Sequence, residues 1–386
     1  MDFDLSDDQA QIKDSVDRML AAAYSDLRTR EAAQKSAKGY SESNWAKFAE
    51  LGLTGIPFSE EHGGLGAGLV ETMLVMDAIG RNLAIEPYLS TIVLGGGVLR
   101  HAAQEAINAR IIPEIIAGTH TLALATQERQ SRFDLGDVAS TATADGDGYL
   151  LAGEKLAVLG ADSADSIIVS ARISGGQRDR SGIGLFLVDG SAAGLSRKGG
   201  PTQDGFRSAD IRLTNVRVPG SHVLVGNGGG GLAVLERVRD EAIAALSAEA
   251  VGAMSALHEL TVDYLKTRKQ FGVPIGSFQV LQHRAVDMFT HLEQARSMAY
   301  FATMMAAEPD AMERRKAIAA VKVQIGRSAK FIGEEAIQLH GGIGMTMEYK
   351  AGHYFKRLTM IDMAFGNADH HLRDLARLGG LVPAAA

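Results

Sequence analysis

The sequence has no cysteine in 386 residues, which removes disulfides, thiolate nucleophiles and cysteine-ligated metals together. No apolar run is long enough to span a bilayer. The start, Met1-Asp2-Phe3-Asp4-Leu5, is acidic, whereas a secretory signal needs a basic start and an apolar segment. A cytoplasmic setting is therefore expected. Positive charge is not in surplus: the formal net charge of −7 argues against nonspecific binding to nucleic acid, and no basic tail is present. No Gly-x-Ser-x-Gly elbow marks a nucleophilic serine. His62, His258, His283, His340, His370 and His371 show no zinc-like spacing with a carboxylate, so no metal is expected.

What remains is the composition of an ordinary globular protein, long enough for two or three domains. From about Leu5 to Gly118 the pattern is helical. Ser6 is a candidate N-cap, and Ile12, Val16, Met19 and Leu20 share a face. A second helix carries Trp45, Phe48 and Leu51 and stops at Gly52, while Gly63-Gly64-Leu65-Gly66 reads as a connector. Pro113 marks a place where a helix begins or bends. The period changes near Thr121 to short strand-like runs: 121–125, 149–151, 166–170, 185–188 and 211–213. Asp145-Gly146-Asp147-Gly148 is a hairpin signal between them. Strands without intervening helices predict a small antiparallel barrel or sandwich. Gly226-Asn227-Gly228-Gly229-Gly230-Gly231 formally matches Gly-x-Gly-x-x-Gly, but no βαβ pattern surrounds it, so a connector is the better reading. Four long amphipathic patterns follow, the last from about Gly366 to Leu378, and predict an antiparallel helix bundle. The expected division is an all-α domain over 1–119, a β-domain over 120–227 and a four-helix bundle over 228–386.

Two loops interrupt the bundle. Arg268-Lys269-Gln270-Phe271-Gly272 places a fixed cation beside an aromatic, with Gln279 closing the turn; Gln338-Leu339-His340-Gly341-Gly342 follows downstream. Either alone reads equally well as structure, Arg268 as a cation at a helix C-terminus and His340 as a helix cap. Together, Arg-x-x-Phe-Gly and Gln-x-x-Gly-Gly in this order, after helices and a β-domain, resemble the acyl-CoA dehydrogenase family. The runs 240–246, 264–282 and 338–359 resemble its small-subunit branch.

The resemblance implies an α+β fold of that type with FAD held by these loops. Arg268 would pair with the pyrophosphate, Phe271 would pack on the adenine side, and Gln279 would bond a polar edge. Gln338 with the Gly341-Gly342 backbone would complete the clamp, and Asn367 follows the family's flavin-side glycine, here Gly366. It implies α,β-desaturation of an acyl-CoA, medium-length or dicarboxylyl such as pimeloyl-CoA, with an electron-transfer flavoprotein as acceptor and a homo- or heterotetrameric assembly. Two departures stand against the full pattern. The family's usual glutamate base falls on Phe365; an alternative position on the first bundle helix falls on Ala242, beside Asp240 and Glu241. Glu241 is the expected base, with Asp240 second, and burial would raise its pKa toward neutrality; both also fit a plain acidic helix start. The family's Trp-x-Thr appears as Ala157-Val158-Leu159, and Thr-Glu-Pro as Gln127-Glu128-Arg129, leaving backbone atoms near Val158 to meet the flavin. The alternative role is a non-catalytic subunit that completes the FAD site of an acid-bearing partner.

Overall fold

A computed structural model describes residues 5–226 and 229–381. Helices α1 (Asp7–Ala23), α2 (Leu27–Lys35), α3 (Glu42–Glu50), α4 (Leu69–Asn82), α5 (Gly96–Ala102) and α6 (Glu105–Ile116) come first. Strands β1 (Leu122–Ala125), β2 (Thr141–Asp145), β3 (Gly148–Leu159), β4 (Ser166–Arg172), β5 (Ile183–Asp189), β6 (Leu195–Pro201), β7 (Arg207–Val218) and β8 (Val223–Val225) follow. Helix α7 (Gly231–Thr267), the short hairpin β9 (Lys269–Gln270) and β10 (Val273–Pro274), and helices α8 (Gln279–Met305), α9 (Ala311–His340), α10 (Lys350–Met363) and α11 (Ala368–Arg377) complete the chain. The order is helical, then β, then helical, as the resemblance implies. Among the described residues no helix is long and apolar enough to cross a membrane. Asn227 and Gly228 of the glycine-rich connector lie outside the described residues.

The chain forms two compact units. The first comprises residues up to Ala32, Leu69–Ala84 and Ile243 onward. Its N-terminal helix starts as the sequence predicts: Ser6 and Gln9 close a capping box, and Val16 and Leu20 are buried. Buried apolar stripes run along α7 (Val251, Met254, Leu257), α8 (Met288, Leu292) and α9 (Ile318, Val321, Ile325, Ile332). The helix α10 was not expected; its Tyr354, Leu358 and Ile361 are also buried. Helices α4 and α7 touch through glycine. A Cβ on Gly80 would lie 1.9 Å from the Glu249 carbonyl oxygen, and one on Gly252 1.9 Å from that of Asp77. These contacts are with backbone, so no rotamer change relieves them. Gly252→Ala is expected to destabilise the protein by about 1–3 kcal/mol, read as a lower urea midpoint.

The second unit comprises Ala33–Gly68 and Ile85–Ala242. Its sheet runs β6-β7-β3-β2-β4-β5-β8, with β1 beside β4. Pairing is antiparallel except that β1 runs parallel to β4 and a single bridge of β2 does the same. The β2–β3 hairpin turns at Gly146-Asp147, with Asp145 facing Gly148, as the turn chemistry predicts. Leu151, Val169, Phe186, Val188, Ile211 and Val216 form its core, and Tyr149 meets Phe186 edge-on at 5.1 Å. Pro113 neither begins nor ends a helix: it sits within α6, which continues to Ile116. Residues Leu89–Gly95, just before α5, form a buried π-helix.

Candidate functional site

In the first unit, α7 ends in a loop fixed by its own backbone. The Arg268 amide donates to the Tyr264 carbonyl at 2.8 Å, and the Ile275 amide returns to the Arg268 carbonyl at 2.8 Å. Between them β9 and β10 pair across a two-residue turn, Phe271-Gly272, in which φ is 53° and 83°. Positive φ at both positions is the hairpin turn that normally takes Asn-Gly, and a phenylalanine there stores roughly 1–2 kcal/mol of strain. Phe271 is 91% exposed, touching the Phe278 ring edge-on at 6.1 Å. The strained backbone thus holds an aromatic ring out into solvent, where packing gains nothing from it. Gln279 opens α8, which has no side-chain cap.

The second loop closes α9. The Gly341 amide caps that helix by donating to the Gln338 and Ile337 carbonyls, with φ of 62° and ψ of −139°, a conformation that suits glycine alone. A Cβ on Gly272, Gly341 or Gly342 would meet nothing within 4 Å, so the loop surfaces are open to a ligand's approach. Among the described residues, the exposed side chains of Arg268, Gln279 and Gln338 bond to no other group of the chain. A free guanidinium, two free amides, an exposed ring and two open glycine turns are a donor set suited to a pyrophosphate-bearing dinucleotide. The two loops are linked through rings: Tyr264, one turn before Arg268, lies 4.7 Å from His340, the residue before Gly341.

Asn367 has a definite local role. Its side chain caps α11 by accepting from the His370 amide at 3.0 Å, which leaves its NH2 group as the part able to reach a ligand. Phe365, where the resemblance puts the family's base, has φ of 57° and its carbonyl accepts from His371 Nε2 at 2.9 Å. No carboxylate stands there.

The acidic candidates belong to the second unit. Glu241 is buried, as expected, but its pKa moves the other way. Burial pushes it up; the His101 hydrogen bond and the Arg100 charge outweigh that, and it sits lowered to about 2. Arg100 Nη2 donates to Oε2 at 2.9 Å, His101 Nε2 meets Oε1 at 2.8 Å, and Arg237 Nε meets Oε1 at 3.2 Å. The expectation of a pKa raised toward neutrality is thus corrected by three partners, two of which lie some 140 positions earlier in the chain. Asp240 is also buried and is bonded by Arg239 Nη2 at 2.8 Å.

The Ala157-Val158-Leu159 stretch of β3 is irregular. Ala157 has φ of 51° at a bulge between Lys155 and Val158, and its amide donates to Asp210 Oδ1 at 2.9 Å. Val158 is buried and in register with Ala209 of β7. The amide of Ala157, next to Val158, is therefore engaged within the sheet. Neighbouring Lys155 is fully buried, its Nζ 2.6 Å from Glu128 Oε1. This pair makes Glu128, in the Gln127-Glu128-Arg129 segment, a sheet anchor: burial raises its carboxyl, but Lys155 brings it down to about 2.

The chain matches three family models: the N-terminal domain of acyl-CoA dehydrogenase over residues 6–119, the middle domain over 123–216 and the C-terminal domain over 229–379. It is 32% identical to a 3-(aryl)acrylate reductase of Clostridium sporogenes, over 84% of this chain and 86% of that protein. A solved structure described as the FAD complex of PigA superposes with a TM-score of 0.88 at 27% identity, covering 99% of this chain and 100% of that one. Another, described as a variant of the Tcur3481-Tcur3483 steroid ACAD, gives a TM-score of 0.85 at 28% identity, covering 96% and 97%. With the whole fold, the two loops and these likenesses in agreement, the chain belongs to the acyl-CoA dehydrogenase family, the FAD-dependent oxidoreductases that act on CH–CH bonds.

Proposed function

We propose that this chain is one subunit of a heteromeric acyl-CoA dehydrogenase, in which it holds the dinucleotide half of FAD and an acid-bearing partner supplies the base. The observation that carries the reading is Glu241: the buried carboxylate best placed in sequence to act as base is held ionised by Arg100, His101 and Arg237. A base for a weakly acidic α-proton works best with its pKa near the operating pH, and a group at about 2 is a poor one. Phe365 offers no carboxylate in its place.

The clamp residues then have direct roles. Arg268 would hold the pyrophosphate, because a guanidinium stays charged and presents paired donors. Phe271 would pack on the adenine side, Gln279 and Gln338 would bond polar edges, the open turn at Gly341-Gly342 would let phosphate come close to backbone, and the Asn367 NH2 would donate toward the cofactor. FAD, when bound, supplies the hydride acceptor. The bulged Ala157 segment gives the ring system neither the Trp nor the Thr of the family pattern, which favours a partner that houses the ring. The description of the 28% identical structure joins two proteins, which supports a paired assembly here. The acyl group is a dicarboxylyl chain such as pimeloyl, carried over from the resemblance, and electrons leave to an electron-transfer flavoprotein in the cytoplasm.

The test starts with the purified chain and anaerobic pimeloyl-CoA. The chain alone is expected to be colourless or substoichiometric in FAD, and to hold one FAD per pair once co-purified with a glutamate-bearing relative. In that complex Arg268→Ala is expected to weaken FAD retention about 10- to 100-fold, the equivalent of a lost charge-assisted hydrogen-bond pair. A yellow chain that bleaches on its own with the acyl-CoA would overturn the subunit reading.

A further inference from the structure

His340 is buried in the first unit between two tyrosines, and neither the base nor the clamp uses it. Its ring lies 4.7 Å from Tyr264 at an interplanar angle of 32° and 5.1 Å from Tyr349 at 56°. Tyr264 and Tyr349 are themselves 6.4 Å apart, so the three rings form one cluster. Each comes from a different segment: the last turn of α7, the end of α9 and the entry to α10. His340 Nδ1 donates to the Ala336 carbonyl at 2.8 Å, which fixes the ring's orientation on α9. Burial holds the imidazole below its usual pKa, against the pull of the Ala336 and Leu260 carbonyls, so it packs as a neutral ring.

We infer that His340 is a positioning residue that sets the Arg268 loop and the Gly341-Gly342 loop in register through its contact with Tyr264. This rests on the clamp reading above, because it assigns both loops to one ligand. The path is short and continuous. Tyr264 receives the Arg268 amide, and the Ile275 amide closes back onto the Arg268 carbonyl. At the other end, His340 is joined to Gly341, and a Cβ on Gly344 would come within 3.0 Å of His340 Cβ, so the turn folds back over the ring's own residue. Exposed loops with few contacts of their own take their position from the packed side chains beneath them. His340 and Tyr264 make a packed contact that joins these two.

The readout is hydrogen exchange on the chain itself. In His340→Ala, the Ile275 amide and its neighbours over 269–278 are expected to exchange about tenfold faster. His340→Phe keeps a ring of similar size and is expected to restore most of that protection. Loosening confined to 336–349, or equal loosening in both variants, overturns the proposal. FAD retention by the co-purified complex is measured beside it, expecting a loss in His340→Ala and recovery in His340→Phe. If Arg268→Ala leaves FAD retention unchanged, the clamp reading fails whatever the exchange shows. If Arg268→Ala releases FAD while exchange over 269–278 stays unmoved in His340→Ala, the positioning role alone fails.

Discussion

Arg357→Met is expected to destabilise the first unit by about 3–5 kcal/mol, because it leaves a buried carboxylate with no counter-ion. The Arg357 guanidinium meets Glu249 in a fork: Nε reaches Oε1 at 2.5 Å and Nη2 reaches Oε2 at 2.7 Å. Glu249 is 2% exposed and Arg357 6%, so water cannot take the place of the lost partner. The backbone beneath is equally closed, since Gly80 of α4 abuts the Glu249 carbonyl. Nearby Lys322, fully buried, donates to the Ile361 carbonyl at the end of α10. Burial pushes its pKa down to about 8, with Asp362 pulling up and Arg357 adding to the fall. Removing Arg357 therefore lets Lys322 hold its proton more firmly, a small gain against a large loss. The double variant Glu249→Leu/Arg357→Met is expected to recover most of the stability, because a well-packed apolar pair of similar volume often matches a buried ion pair. Urea unfolding decides it. A midpoint for the single variant within experimental scatter of the parent, at unchanged slope, would mean that the pair is wetted and weak.

The order of helical, β and helical segments was legible in the sequence because each rests on local period. The N-cap at Ser6, the Asp145-Gly146-Asp147-Gly148 turn and the apolar stripes of α7, α8 and α9 each declare themselves within a few residues. What escaped had no local signal. Strand β6 lies at the sheet's edge, carries Gly199-Gly200-Pro201 and buries no side chain, so it lacks the alternation that marks a half-buried strand. The helix α10 begins after a glycine- and methionine-rich turn, and its buried positions include the charged Arg357 and lie among Lys356 and Asp362, which blurs the apolar stripe. The site divides in the same way. The two loops of the proposed clamp are short contiguous motifs, so both are visible in the sequence. That Phe271 takes φ of 53° could not, since only the type of turn forces it. Nor could the environment of Glu241: its position on a helix says nothing of Arg100 and His101, which reach it from a distant part of the chain. Sequence proximity placed the carboxylate; tertiary contacts decided its chemistry.

Glu241→Gln separates a structural carboxylate from a catalytic one through pH. The folded-state pKa of about 2 lies below the ordinary 4.5. The stabilisation it brings is therefore full above 4.5 and disappears as the pH falls from there toward 2. At pH 7 the variant is expected to be less stable by about 3 kcal/mol, the equivalent of that shift. Because the parent protein loses the same contribution in acid, the two stability curves are expected to converge between about pH 4.5 and 2. Glu128, similarly lowered beside Lys155, keeps its own acid dependence in both proteins, so convergence and not the absolute slope is the signature. Turnover by the co-purified complex, normalised to folded protein, is expected to follow stability and fall no further. A Glu241→Gln protein that folds with undiminished stability yet loses roughly a thousandfold in turnover would return the base to Glu241 and make this chain catalytic in its own right. Loss of stability without that collapse of turnover leaves Arg100, His101 and Arg237 as the reason the carboxylate is buried: it ties those three side chains of one unit together, and the proton chemistry belongs to the partner.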